Sequence, residues 1–275
     1  MVYNSENTFS EVLMKYGFIG CGNMGGALAR ALTKNTKDVL IADQYSNVAA
    51  LAAEMGCSFG SNEQAAASDR VFLAVKPNVA ASVLESLRPV LAEKKPLLIS
   101  MCAGVSLAQL ESWIGVEIPI IRIMPNTPAA VGKGMILYCT NALVKEEELA
   151  DFLTDMDKAG IFDRLDEKLI DAGSALSGCG PAYMYLFLEA LADGAVACGL
   201  PRAKAYTYAA ATMAGAAEMV LATGTHPGAL KDAVCSPGGS TIAGVKALEE
   251  HAFRGAVMDC VAAAYEKTLE LGKGK

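Results

Sequence analysis

Gly20, Gly22 and Gly25 stand in "YGFIGCGNMGGALARAL" at G-x-G-x-x-G spacing, after a short apolar run and ahead of a helical pattern. In that setting each glycine has a task. One permits a tight turn, one lets a pyrophosphate approach the backbone, and one lets the helix pack closely on the strand. The helix N-terminus then stabilises the phosphate charge. The alternative is a glycine-rich turn that holds no ligand. Asp43 closes the next apolar run, "DVLIAD", where a carboxylate can bond the ribose hydroxyls of an adenosine. A carboxylate there repels a 2′-phosphate and so favours NADH over NADPH; the other reading has Asp43 merely starting a turn. No arginine follows it. The next residues are Gln44, Tyr45, Ser46 and Asn47, and the spacing of Lys34 and Lys37 gives no reason to expect them to compensate.

Two further stretches end apolar runs with residues suited to binding. They are "AVKPN" (74–78), with Lys76 and Pro77, and "RIMPNTPAAVGKGM" (122–135), with Asn126. In open α/β sheets ligands bind beyond the C-terminal ends of the strands, so both loops are expected to face the cofactor. Plain strand termination at Pro77 and an Asx-type turn at Asn126 are the competing readings. Much later the chain enters a helix through glycines again, in "KDAVCSPGGSTIAGVKALEE" (231–250), with Ser240 and Thr241 at the entrance. Such hydroxyls ordinarily cap helices, and the exposed amides of a helix start also bind anions. No acid–base pair accompanies them in the sequence.

The elements that must position these residues alternate from Lys15 onward. "YGFIG", "DVLIAD", "RVFLAV", "PLLISMCA", "PIIRIMPN", "GMILYCT" and a short "IFDRLDEK" read as strands, with helical patterns between most of them. That alternation predicts a doubly wound, mostly parallel Rossmann-type α/β domain over 14–169, preceded by a polar extension at 1–13. From Leu169 onward the pattern is helical, with Pro181, Gly199, Pro201 and Gly224 as punctuation, so 170–275 is expected to be an all-α domain. The nearly uncharged "AYTYAAATMAGAAEMVLATG" (205–224) reads as a helix buried on most sides, in the core or at a subunit interface, rather than as a membrane span.

The 275 residues carry a net charge of −7, without the basic face that a phosphate-backbone binder needs, so nucleic acid is an unsuitable partner. The eight cysteines are dispersed without a C-x-x-C pair, and the two histidines lack zinc-type spacing. Reduced thiols and no metal are therefore expected. The N-terminus lacks the pattern of a signal peptide, and a cytoplasmic enzyme without membrane attachment is the expectation.

Taken in order, "GFIGCGNMGGA", "AVKP", "RIMPNTPA", "SALSGCGPAY" and "SPGGSTIAG" resemble Δ1-pyrroline-5-carboxylate reductase, over nearly the whole chain from about Lys15 to Leu271. The last motif is the most specific, since many enzymes share a Rossmann fingerprint. The resemblance implies hydride transfer from NADPH or NADH to a cyclic imine to give L-proline, by a homodimer that interlocks through its helical domain and can assemble into rings. It implies that Gly20, Gly22, Asn23, Met24 and Gly25 contact the dinucleotide and that Asn62 approaches its ribose. Ala74, Lys76, Pro77, Cys102, Ala103 and Gly104 would flank the nicotinamide half, with Met124 and Asn126 near nicotinamide and substrate. Gly238, Gly239, Ser240 and Thr241 would hold the substrate's carboxylate and ring nitrogen, with Thr241 the catalytic hydroxyl. Whether it donates a proton or only aligns the ring stays open. "SMCAGV" departs from the family's usual "SIAAGV", and Asp43 departs from the basic or neutral residue many relatives carry nearby.

A pyrroline imine is basic enough to arrive protonated, which removes the need for a strong acid–base pair; geometry then does most of the work. Two rivals share the general plan. A β-hydroxyacid dehydrogenase uses a lysine on the first helix after the Rossmann domain, and no lysine occurs between Lys168 and Lys204. A non-catalytic dinucleotide-binding regulator has no use for the segment at 235–244.

Overall fold

The computed structural model describes residues 15–44 and 47–272. The extension expected at 1–13 lies outside the described residues, as do Tyr45 and Ser46. Contacts divide the chain into two compact units, one running to Gly178 and taking in the chain from Lys267, the other Cys179–Glu266.

The first unit is built on one eight-stranded sheet. Its strands are β1 (Tyr16–Ile19), β2 (Val39–Ala42), β3 (Ser58–Phe59), β4 (Arg70–Leu73), β5 (Leu97–Ser100), β6 (Ile120–Met124), β7 (Gly134–Thr140) and β8 (Gly160–Arg164). They lie in the order β3-β2-β1-β4-β5-β6-β7-β8. All neighbours pair in parallel except β7, which runs antiparallel to β6. The expected doubly wound, mostly parallel fold is therefore present. β1, β2, β5 and β6 are buried at every position, because strands in a sheet covered on both faces are near-continuous apolar runs. Phe18 and Phe72 stack across β1 and β4 with ring centroids 4.2 Å apart, and Phe152 packs at 6.0 Å from Phe72. Truncating Phe72 in so tight a core would cost about 3–5 kcal/mol.

Strand order reverses at β1, with β2 on one side and β4 on the other, and a doubly wound sheet opens a crevice at that point. Because β1, β2, β4, β5 and β6 are parallel, the residues that follow them all emerge along one edge. In register, Ile19 pairs with Ala42 and with Leu73, and Leu73 with Ser100. Gly20, Asp43, Ala74 and Met101 therefore leave the sheet in a row. The helices that follow are α1 (Asn23–Leu32), α2 (Val48–Met55), α3 (Asn62–Ala66), α4 (Pro77–Lys94), α5 (Leu107–Ile114), α6 (Glu146–Asp155) and α7 (Glu167–Ser177).

The second unit is helical, as expected: α8 (Gly180–Ala197), α9 (Arg202–Thr223), α10 (Pro227–Ala233), α11 (Ser240–Glu250) and, as far as Glu266, α12 (Phe253–Gly272). Pro181 sits in the first turn of α8, and Gly199 (φ 95°) follows its end. Gly224 closes α9 in the left-handed region, at φ 62°. The second unit by itself does not bury α9. Only Ala205 and Ala209 are covered, and Tyr208 is 53% exposed. Within the second unit, then, 205–224 does not find the cover on most sides that its composition predicts. No helix among the described residues is long and apolar enough to cross a membrane.

Candidate active site

The first glycine loop shows why each glycine is present. Gly20 has φ +96°, and a Cβ there would lie 2.7 Å from the carbonyl oxygen of Ala74. At Gly25 a Cβ would meet the Gly20 oxygen at 2.5 Å and the Ala74 Cβ at 2.9 Å, so α1 rests directly on the loop. Gly22 is different. A Cβ added there meets nothing within 4 Å, so no protein neighbour requires a glycine. Gly22 is also the N-cap of α1, no side chain caps the helix, and its first turn holds no acidic residue. Gly22 and the following Asn23 are exposed, and Met24 is half-buried. An open, uncapped helix entrance with a glycine facing outward is what a pyrophosphate needs, so these residues fit a dinucleotide.

Asp43 sits half-buried beyond β2, and its Oδ2 accepts the backbone N–H of Cys21 at 2.6 Å. The acid at the end of the second strand is thereby attached to the glycine loop. Burial, and then the nearby Asp43 charge, push the Cys21 thiol up to about 12. Asn62 is the first residue of α3, half-buried behind a capping box formed by Ser61 and Gln64.

Across β1, Ala74 is half-buried, while Lys76 and Pro77 are exposed at the start of α4, with Lys76 as N-cap. Cys102 follows β5 and is buried, its Sγ 3.6 Å from the carbonyl oxygen of Val75. Burial lifts its thiol to about 11, which keeps it protonated and unreactive near neutral pH. Ala103 is exposed, and Gly104 turns the chain at φ +71°. Met124 ends β6, buried. Asn126, only 7% exposed, holds three segments together. Its Nδ2 donates to the carbonyl of Ser177, the last residue of α7, at 2.9 Å, and its Oδ1 accepts from the N–H of Met135 at 2.9 Å. One N–H and one lone pair of the amide are left over for a ligand.

Arg122 was not singled out by motif. It lies in the middle of β6 at 2% exposure. Its guanidinium reaches Asp171 at 2.7 Å and Glu167 at 3.3 Å, both on α7, and Glu167 also accepts the N–H of Leu107 at 2.7 Å. A buried charge so paired orients α7, the helix whose last carbonyl Asn126 grips. The legible signal was a single charge inside the apolar run "PIIRIM".

In the second unit, Gly238 adopts φ +70°, which suits glycine alone. The Gly239 N–H closes a turn on the carbonyl of Ser236 at 3.0 Å, and Gly239 is the N-cap of α11. Ser240 and Thr241 are therefore the first two helical residues, both exposed. The capping role that such residues ordinarily take is not realised, since no side chain caps α11. The amides of the first turn stay open to an anion, as in α1.

All eight cysteines are free; Cys21, Cys102 and Cys139 are buried, Cys198 is exposed and the remainder are half-buried. Among the described residues no group of three or more His, Cys, Asp or Glu side chains could hold a metal.

Residues 167–271 match the family model described as pyrroline-5-carboxylate reductase dimerisation. Residues 15–104 match the model described as NADP oxidoreductase, coenzyme F420-dependent. The chain is 43% identical over 266 residues to the pyrroline-5-carboxylate reductase of Escherichia coli, covering 94% of this chain and 98% of the relative. It is 42% identical to the pyrroline-5-carboxylate reductase of Pisum sativum, covering 93% and 95%. Among crystal structures, Plasmodium falciparum pyrroline carboxylate reductase with NADP bound superposes with a TM-score of 0.85 at 37% identity, covering 94% of this chain and 98% of that one.

Proposed function

The chain belongs to the pyrroline-5-carboxylate reductase family, an NAD(P)H-dependent oxidoreductase family, and we propose how its own residues carry out the reduction of Δ1-pyrroline-5-carboxylate to L-proline. The observation that carries the reading is the presence, in one chain, of two glycine-entered helices that no side chain caps, α1 and α11. When bound, the reduced nicotinamide supplies a hydride to the C=N carbon. The amides of Asn23, Met24 and Gly25 hold the pyrophosphate, and Gly22 keeps the approach clear. Asp43 and Asn62 hold the adenosine ribose. Ala74, Lys76, Pro77, Cys102, Ala103, Gly104 and Met124 flank the nicotinamide half.

The amides at the start of α11, with the Gly238–Gly239 turn that exposes them, hold the substrate carboxylate. The Thr241 hydroxyl bonds the ring nitrogen. The imine arrives protonated, so its carbon is already electrophilic. After hydride addition the nitrogen retains that proton as the N–H of the ring amine. The chain's task is then to align two reactants to within about 3–3.5 Å rather than to move a proton between strong acids and bases. The buried, protonated Cys102 thiol and the ion-paired Arg122 fit a site with no charged catalyst.

The functional unit is a homodimer. Support comes from the dimerisation model over 167–271 and from large apolar side chains that α8, α9 and α12 leave exposed, among them Tyr185, Leu186, Leu221 and Met258. A cytoplasmic location goes with eight free cysteines. Initial rates of nucleotide oxidation with and without Δ1-pyrroline-5-carboxylate test the reading. Substrate-dependent oxidation with formation of L-proline is expected, and its absence with both nucleotides would overturn it.

A further inference from the structure

We propose that Asp43 makes this protein select NADH over NADPH, by holding a carboxylate where the 2′-phosphate of NADPH would have to sit. The inference rests on the dinucleotide reading given above. Three observations carry it.

The first is position. Asp43 follows Ala42, whose carbonyl accepts the N–H of Gly20 at 2.8 Å, so the acid stands beside the glycine turn at the reversal point of the sheet. At this place a carboxylate accepts the ribose 2′-hydroxyl of NADH. The second is anchoring. The Cys21 N–H holds Oδ2 at 2.6 Å, so the side chain cannot swing aside for a phosphate without leaving a backbone amide of the pyrophosphate loop. The carboxylate is part of the loop's own construction. A more anionic nucleotide meets it whether or not the loop adjusts.

The third is the engagement of nearby cations. Admitting a 2′-phosphate beside a carboxylate requires a positive group to offset it. Gln44, Tyr45, Ser46 and Asn47 supply none. Arg30 lies seven residues into α1, and its guanidinium folds back beside Gly26, close enough to act on the Cys21 thiol, so it is the cation to account for. It is bound through two nitrogens to Glu54, at 3.0 and 3.1 Å, near the far end of α2. Lys37 donates to the carbonyl of Met55 at 2.7 Å, again at the end of α2 away from its entrance. Lys76 stands beyond β4, on the opposite side of β1 from Asp43.

The experiment measures dissociation constants of NADH and NADPH by nucleotide fluorescence, and kcat/KM for each with Δ1-pyrroline-5-carboxylate. It uses the wild-type protein, Asp43→Ser and Asp43→Asn. Wild type is expected to favour NADH by about tenfold or more in both measures, the size of one unfavourable contact of about 1.4 kcal/mol. Asp43→Ser should erase that preference, chiefly by tightening NADPH. Asp43→Asn keeps an acceptor for the Cys21 amide, so a lost preference in this variant assigns the effect to charge rather than to loop damage. Equal or better use of NADPH by wild type overturns the proposal, as does a ratio unchanged in Asp43→Asn. Two failures stay distinct. Tighter NADH binding with no turnover on either nucleotide refutes the reductase reading alone; imine reduction that prefers NADPH refutes the selectivity alone.

Discussion

Substituting alanine for Gly22 and for Gly25 should damage the protein in opposite ways, although both belong to one motif. At Gly22 the backbone (φ −63°, ψ −163°) is open to any residue, and an added Cβ meets nothing within 4 Å. Replacing an N-cap glycine by alanine costs about 0.5–1 kcal/mol of helix stability. The restricted unfolded chain returns about 0.4–1 kcal/mol. The two nearly cancel, so the melting temperature should hardly move. The new methyl group instead occupies the space over the open amides of α1. Losing one charge-assisted hydrogen bond to a phosphate is worth about 1.5–3 kcal/mol. That converts to a rise in nucleotide Kd of about 10- to 150-fold. Gly25→Ala should do the reverse first, because its Cβ would sit 2.5 Å from the Gly20 oxygen and 2.9 Å from the Ala74 Cβ. Overpacking of that kind costs about 1–3 kcal/mol before any ligand is considered. Thermal unfolding paired with calorimetric titration of nucleotide separates the two. Unchanged nucleotide affinity in Gly22→Ala, or a stability loss equal to that of Gly25→Ala, would refute the reasoning.

Thr241→Ala should leave nucleotide Kd intact and lower kcat at least about tenfold if the hydroxyl only aligns the ring, and about a hundredfold or more if it passes a proton. Steady-state kinetics decide, and unchanged turnover removes Thr241 from the mechanism. Asn126→Ala strands the Ser177 carbonyl and the Met135 N–H, at about 1–3 kcal/mol for each group left unsatisfied. Denaturant unfolding should show that loss, and an unchanged midpoint would mean that the asparagine does not hold these segments. Sedimentation at micromolar concentration should find a dimer; a monomer that retains full activity contradicts the proposed assembly.

The sheet was legible because most of its strands are near-continuous apolar runs separated by helical stretches, and the first glycine loop because strand, turn and helix follow in one short segment. β3 and α3 escaped because two and five residues are too few for periodicity to register. The Ser61–Gln64 capping box that starts α3 spans too short a segment to stand out without the structure. Arg122 was overlooked because pattern reading averages one charge into an apolar run, whereas its meaning depends on two acids some 45 and 49 residues onward. The work done by Asn126 is equally nonlocal, since it joins Met135 and Ser177. Ser240 and Thr241 look like caps in the sequence, and only the backbone shows that Gly239 takes that position. For α9, composition demanded cover on most sides, yet composition does not say whether one chain provides it.

The most direct test of the account follows a hydride from nucleotide to product. NADH and NADPH carrying deuterium at the transferable nicotinamide position are each supplied with Δ1-pyrroline-5-carboxylate, and the proline formed is analysed by mass and by NMR. The account predicts L-proline carrying one deuterium, located at Cδ, the former imine carbon, formed in step with nucleotide oxidation. Unlabelled proline, or no substrate-dependent oxidation with either nucleotide, would contradict it.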